Sequence, residues 1–270
     1  MEGREQDTSQ VLGILFSGTL RTVEYCAPSI FGNDDWQVIS RSSRGASPDI
    51  VVTDHPLGAS LASTLPKIRT PQWVRQELQL DETWGATLSR VPRRLRKELG
   101  RLLREYGYRP VLVGGEQAIR AFREDLLLPS VRERYGSGAI VASAASFYRE
   151  CRGMTRVDLL SGESVVAASL VESDGRRLCI RKSALRPGRD ALPGRADVLD
   201  YFTLLLAQLA GCSVLDFGLS RPHLEDGTFR YKAKWGTRVV PAGGPKASIR
   251  ILPRRETPAV LSFLGRNRFL

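Results

Sequence analysis

The run from residue 155 to residue 211 constrains the fold more than any other part of the sequence. Val157-Asp158-Leu159-Leu160 reads as a strand that turns at Ser161-Gly162-Glu163. An apolar run over 165–171 follows, and Ser173-Asp174-Gly175 turns the chain into Leu178-Cys179-Ile180. Turn residues between β-rich segments predict a meander. The unbroken apolar character of 165–171 is that of a central strand. Residues 185–195 carry two prolines and two glycines and read as a loop. The next segment, 197–210, is apolar nearly all round and is closed by Gly211. A helix without a polar face is a buried helix.

Upstream, 88–106 has a helical stripe: Leu88, Val91, Leu95, Leu99, Leu102, Leu103 and Tyr106 recur at steps of three and four. Ser89 serves as N-cap, Pro92 falls in the first turn and Gly107 ends the helix. Arg90, Arg93, Arg94, Lys97, Arg101 and Arg104 fall on the opposite face, against Glu98 and Glu105. Two readings stay open for that face: a solvated surface, or a ridge that tracks phosphates. A strand is expected at 109–113, stopped by Gly114-Gly115, then helix at 116–127 with a further turn or two at 131–135. Another helix is expected at 140–150, with Val141, Ala144, Ala145 and Tyr148 inward.

The ends divide the chain into 1–85, 86–241 and 242–270. In the first part, 11–16 and 49–53 read as strands, 41–48 as loop and 73–80 as a short helix. In the last, 247–252 reads as a strand and 256–270 as a short helix.

Composition excludes several classes. At 270 residues the chain can bury a full core, and 42% apolar with 26% charged residues suits a soluble globular protein. Residues 11–16 are too short for a secretory h-region or a membrane span, which places the protein in the cytoplasm. Cys26, Cys151, Cys179 and Cys212 are far apart without a paired motif, so they are expected as reduced thiols rather than metal ligands. His55 and His223 are the only histidines, which excludes a His-rich metal site. A net charge of +11, carried mostly by arginine, favours a polyanionic partner or a phosphate-bearing substrate.

Function concentrates in 213–236. Residues 213–217 read as a short buried strand, and Gly218 lets the chain turn. Pro222, Asp226 and Gly227 are turn residues, and Phe229, Arg230, Tyr231, Lys232, Lys234 and Trp235 alternate aromatic with cationic. As bare spacing this fits an ordinary strand and a solvated edge as well as a site. The stretch resembles the C-terminal signature of FemAB-type transferases, a branch of the GNAT superfamily. The matching residues are Asp216-Phe217-Gly218, Gly227, Tyr231-Lys232 and Trp235-Gly236, and the similarity extends back to about residue 88.

The resemblance implies an α+β fold with a central, mostly antiparallel sheet flanked by helices and a small N-terminal extension. Meander, loop, buried helix and strand come in the order of a GNAT core. It implies an acyltransferase forming an amide bond. The donor is an aminoacyl-tRNA, or alternatively acyl-CoA, bound as co-substrate with no permanent cofactor. The acceptor is an amine of a small molecule or peptide, and tRNA is the expected partner. The motif places Lys232 at a donor phosphate or the developing oxyanion, with Tyr231, Arg230 and Lys234 on the same wall. Asp216 is either a base or the buried cap of the following turn. In the loop before the buried helix, Gly194, Arg195 and Ala196 match the end of a pyrophosphate-binding pattern. Ala191 stands where that pattern has Gln or Arg, and Arg189 is the substitute. Two further readings are an RNA-binding module that has lost catalysis, and a hydrolase around Ser220, His223 and Asp226, which lacks a nucleophile-elbow motif.

Overall fold

The computed structural model describes residues 12–17, 36–38, 48–53, 67–136, 141–188, 192–242, 248–266 and 268. The chain forms two compact units, one of Met1–Val74, Leu219–Tyr231 and Val240–Leu270, the other of Arg75–Gly218 and Lys232–Val239.

The first unit opens with β1 (Leu12–Ser17), β2 (Trp36–Val38), β3 (Ile50–Thr53) and β4 (Ile68–Pro71). The chain then runs through β5 (Trp73–Gln79), α1 (Trp84–Arg90), α2 (Arg93–Tyr106) and β6 (Arg109–Val113). Next, α3 (Glu116–Ala121) passes through a π-helical turn (Phe122–Leu127) into α4 (Leu128–Tyr135), and α5 (Ala144–Glu150) follows. The meander is β7 (Thr155–Ser161), β8 (Ser164–Ser173) and β9 (Arg177–Leu185). Then come α6 (Arg195–Leu209), β10 (Val214–Ser220), α7 (Gly227–Ala233) and β11 (Arg238–Ala242). The chain returns to the first unit with β12 (Ser248–Pro253) and α8 (Pro258–Arg266).

The second unit is built on a seven-stranded sheet in the order β11-β5-β10-β9-β8-β7-β6. Neighbours from β6 to β9 are antiparallel, whereas β9 and β10 are parallel. The apolar run of β8 has a physical reason: both of its faces are covered. Ala168 and Leu170 pack with Phe122, Leu126 and Phe147, while Ala167 and Val171 pack with Leu99 and Leu102 of α2 and Val198 and Leu204 of α6. No residue of α6 between 195 and 208 is exposed, as an all-round apolar helix requires. In the first unit, β1 is parallel to β2 and β3, and β12 is antiparallel to β3 and β4. Its core joins Ile14, Ile50, Val52, Ile249 and Ile251 with Val260 and Phe263 of α8.

Several expectations change. Residues 73–79 form β5, not a helix: Val74, Gln76 and Leu78 are buried at every second position, as in a pleated strand, and Glu77 between them is buried too. The stripe at 88–106 belongs to two helices, because Val91 is extended at ψ 127° ahead of Pro92. Thr83, not Ser89, caps α1, and Pro92 itself occupies the N-cap of α2. In α5 the buried side chain is Phe147, while Ala144 and Ala145 are exposed. The aromatic–cation alternation at 229–235 lies mostly in α7, and the strand before it runs on past Gly218 to Ser220. The loop at 41–47, Cys26, His55, Arg189 and Ala191 lie outside the described residues.

Candidate functional site

The parallel pair β9–β10 is held together for only three positions, Val214, Leu215 and Asp216 against Arg177, Leu178 and Cys179. Beyond them Asp216 fixes the exit of β10. Its Oδ1 accepts from the Gly218 N–H at 2.8 Å, closing a short local turn, and its Oδ2 accepts from Arg75 Nη1 at 2.5 Å. The Cys179 thiol donates to the same Oδ2 at 3.7 Å. Asp216 is fully buried, and Arg75 is held in its charged form chiefly by that hydrogen bond. Both carboxylate oxygens of Asp216 are thus engaged within the protein.

Gly218 sits at φ 78°, and a Cβ there would lie 2.6 Å from the Ile180 carbonyl oxygen and 3.9 Å from Lys232 Nζ. The strand exit and Lys232 therefore meet, although 14 positions separate residues 218 and 232 in the sequence. Lys232 is only 9% exposed. The Phe217 and Trp235 rings stand 5.6 Å apart, and Trp235 is fully buried. Gly236, at φ 77°, leaves no room for a Cβ, which would be 2.7 Å from the Arg90 carbonyl oxygen. The Thr237 hydroxyl donates to the Lys232 carbonyl at 3.2 Å. Both halves of the motif, 216–218 and 232–236, thus form one packed cluster.

Helical geometry redistributes the other residues of that stretch. Positions two apart share a face in a strand but lie about 200° apart on a helix. Arg230 is exposed and pairs with Glu225 at 3.5 Å, while Tyr231 is half-buried. Lys234, one residue past α7, pairs with Asp197 in the first turn of α6 at 2.5 Å. Arg230 and Lys234 thus each have an acid partner. Asp226 accepts from the Phe229 N–H at 2.7 Å and caps α7. Cys151, Cys179 and Cys212 are free thiols.

Beside the α6 start lies a groove of about 1240 Å³, lined by Pro92, Arg93, Arg94, Leu95, Lys97, Glu98, Arg101, Asp197 and Lys234. α6 begins at Gly194, where a Cβ would lie 2.2 Å from Leu102 Cδ1 of α2. The Tyr108 hydroxyl donates to the Pro193 carbonyl at 2.9 Å, and burial pushes its own pKa up to about 12. Arg195 donates to the Arg186 carbonyl at 2.6 Å, and burial draws its pKa down. Gly194, Arg195 and Ala196 are therefore placed together at the head of α6.

The cations of 90–104 divide into two groups. Arg90 forks onto Asp81 at 2.6 and 2.8 Å, and Arg101 is bound by Glu98 and Glu105. Arg93, Arg94, Lys97 and Arg104 are exposed and make no ion pair among the described residues. Arg96, also exposed on α2, was not singled out by the stripe and does not line the groove. Among the described residues no helix is long and apolar enough to cross a membrane, and no group of three or more His, Cys, Asp or Glu is placed to hold a metal ion.

The order of meander, loop, buried helix and parallel strand gives the chain a mixed α/β fold. No protein-family model and no curated protein sequence matches it. Among solved structures, it is similar to FemX at 13% identity over 75% of this chain and 72% of that one, TM-score 0.49. It is similar to L-PGS from Bacillus licheniformis at 12% identity over 80% and 72%, TM-score 0.47. A GCN5-related N-acetyltransferase from Kribbella flavida matches at 12% identity over 87% and 72%, TM-score 0.35.

Proposed function

We propose that this protein is an N-acyltransferase that makes an amide bond by passing an aminoacyl group from aminoacyl-tRNA to an amine of a small molecule or peptide. The observation behind this reading is Lys232, a nearly buried ammonium set against the exit of β10 where its pairing with β9 stops. A cation withdrawn from water acts more strongly on a developing negative charge than an exposed one. Lys232 is assigned to the tetrahedral oxyanion or to a donor phosphate, and Tyr231 to the aromatic contact beside it. The acceptor nitrogen bonds to the acyl carbon, the ester C–O bond breaks, and the amine proton leaves with the departing ribose oxygen. Asp216 is assigned to positioning, since its oxygens already serve Gly218 and Arg75. Much of the rate then comes from holding donor and acceptor together. Arg90, Arg93, Arg94, Lys97, Arg101, Arg104, Arg230 and Lys234 are the candidate contacts to tRNA, supported by the +11 net charge.

Acyl-CoA is the second reading. Gly194, Arg195 and Ala196 open α6, where free N–H groups favour a phosphate, with Arg189 as a further candidate. The deciding experiment follows transfer from charged tRNA and from acyl-CoA to a panel of amines. Lys232→Ala is expected to cut turnover about 100-fold or more, as loss of an oxyanion donor does, with an unchanged circular dichroism spectrum. Full activity in that variant, or no transfer from either donor, sinks the reading. Turnover with acyl-CoA alone moves the donor to the second one.

A further inference from the structure

Cations cluster at the start of α2. Arg93, Arg94 and Lys97 fall within its first five residues, and Arg93 and Lys97 stand about 6 Å apart along the axis. That is the scale on which phosphates follow one another in a nucleic-acid strand. The cations line a concave groove rather than a convex ridge, and Pro92, Leu95, Asp197 and Lys234 supply the rest of its wall. At about 1240 Å³ the groove exceeds the size of a typical small-ligand pocket, roughly 300–1,000 Å³.

Its members differ in what they already hold. Arg101 is bound by Glu98 and Glu105, and Lys234 by Asp197. Arg93, Arg94 and Lys97 are the lining cations with no ion pair among the described residues, and all three are exposed. Surface cations left without acids cost solubility nothing and keep their full charge for a partner. The Asp197–Lys234 pair sits at the α6 end of the groove and sets a carboxylate in the first turn of that helix. A pyrophosphate brought to this turn would meet that carboxylate.

We propose that the α2 groove is a phosphodiester track, in which Arg93, Arg94 and Lys97 grip successive backbone phosphates of an RNA strand without reading its bases. This rests on the tRNA-donor reading but assigns the contact to three of the eight candidate cations and excludes the paired ones. The lining contains no exposed aromatic side chain for stacking, which makes the grip independent of sequence. A lipid surface is the less favoured partner, because the cations line a hollow and no large apolar side chain among the lining residues is exposed for insertion.

The test is fluorescence anisotropy with a labelled, uncharged tRNA transcript across 50–200 mM salt, using the full chain. Arg93→Ala/Arg94→Ala/Lys97→Ala is expected to lower the slope of log K against log salt by about 2–3, as the loss of three phosphate contacts does. Arg96→Ala, on the same helix outside the groove, is expected to change it by less than about 1. A triple variant with the parent slope overturns the track, as does a loss shared equally by Arg96→Ala. Parent protein that binds phosphatidylglycerol vesicles and not tRNA also overturns it. Uncharged tRNA separates this from the catalytic reading. Binding with no acyl transfer keeps the track and removes the enzyme, and acyl-CoA turnover with no tRNA binding does the reverse.

Discussion

The strand-exit cluster and the α2 groove both hold cations, yet they treat charge in opposite ways. At the exit, Asp216 and Lys232 are buried, and the Gly218 N–H, the Cys179 thiol and the Arg75 guanidinium all hydrogen-bond to the Asp216 carboxylate. At the groove, Arg93, Arg94 and Lys97 are exposed and make no ion pair among the described residues. Buried charge is costly to move, so the exit has one geometry. Exposed charge is cheap and adaptable, so the groove has affinity without fixed shape. Chemistry at a defined atom belongs with the first, and capture of a flexible polyanion with the second.

That contrast makes changes at the exit structural and changes at the groove electrostatic. The largest effect is expected from Trp235→Ala, which empties a fully buried site and costs about 3–5 kcal/mol in urea unfolding. Trp235→Phe should recover much of it, since the indole Nε1 is buried without a partner. Gly218→Ala comes next, at least about 2 kcal/mol by the same measurement, because φ 78° and the Ile180 carbonyl both oppose a Cβ. Asp216→Asn is expected to cost about 1–3 kcal/mol, less than a sealed ion pair because Arg75 is 30% exposed. If these three cost no more than an exposed substitution, the exit is not the rigid region described.

A pH experiment sharpens the same point. Burial, then the negative charge of Asp216, pushes the Cys179 thiol up to about 11. A raised pKa keeps the group as unreactive thiol, so alkylation of Cys179, followed by peptide mass spectrometry, should stay slow through pH 9 and rise only toward pH 11. Asp216→Asn should bring that rise to lower pH. An ordinary thiol profile near pH 8.5 would contradict the burial. The smallest effect is expected from Lys234→Met: about 1 kcal/mol or less in unfolding, since its partner pair is partly exposed.

Much of the fold was legible because local chemistry and tertiary environment agree there. The meander turns, the all-round apolar helix and the C-terminal strand and helix fall where patterning puts them. The failures share a cause. Segment 73–79 alternates, but Gln76 and Glu77 among its buried residues disguise a strand buried by its neighbours. At 227–233 the turn residues Asp226 and Gly227 start a helix, and the aromatic–cation alternation is not a pleat. In the site, the motif residues were visible, but the Arg75–Asp216 pair spans 141 positions and leaves no local trace.

The sequence by itself determined the order of elements, the excess of arginine and the residues of the motif, because turn chemistry, apolar period and charge are written one residue at a time. Only the tertiary structure decided which of those residues meet. Lys232 is a buried cation and not a solvated one because folding sets it beside Gly218, and Arg93 and Lys97 make no ion pair among the described residues because folding gave the neighbouring acids to Arg101 and Lys234. Proximity across long separations is a property of packing, and no short window of sequence contains it.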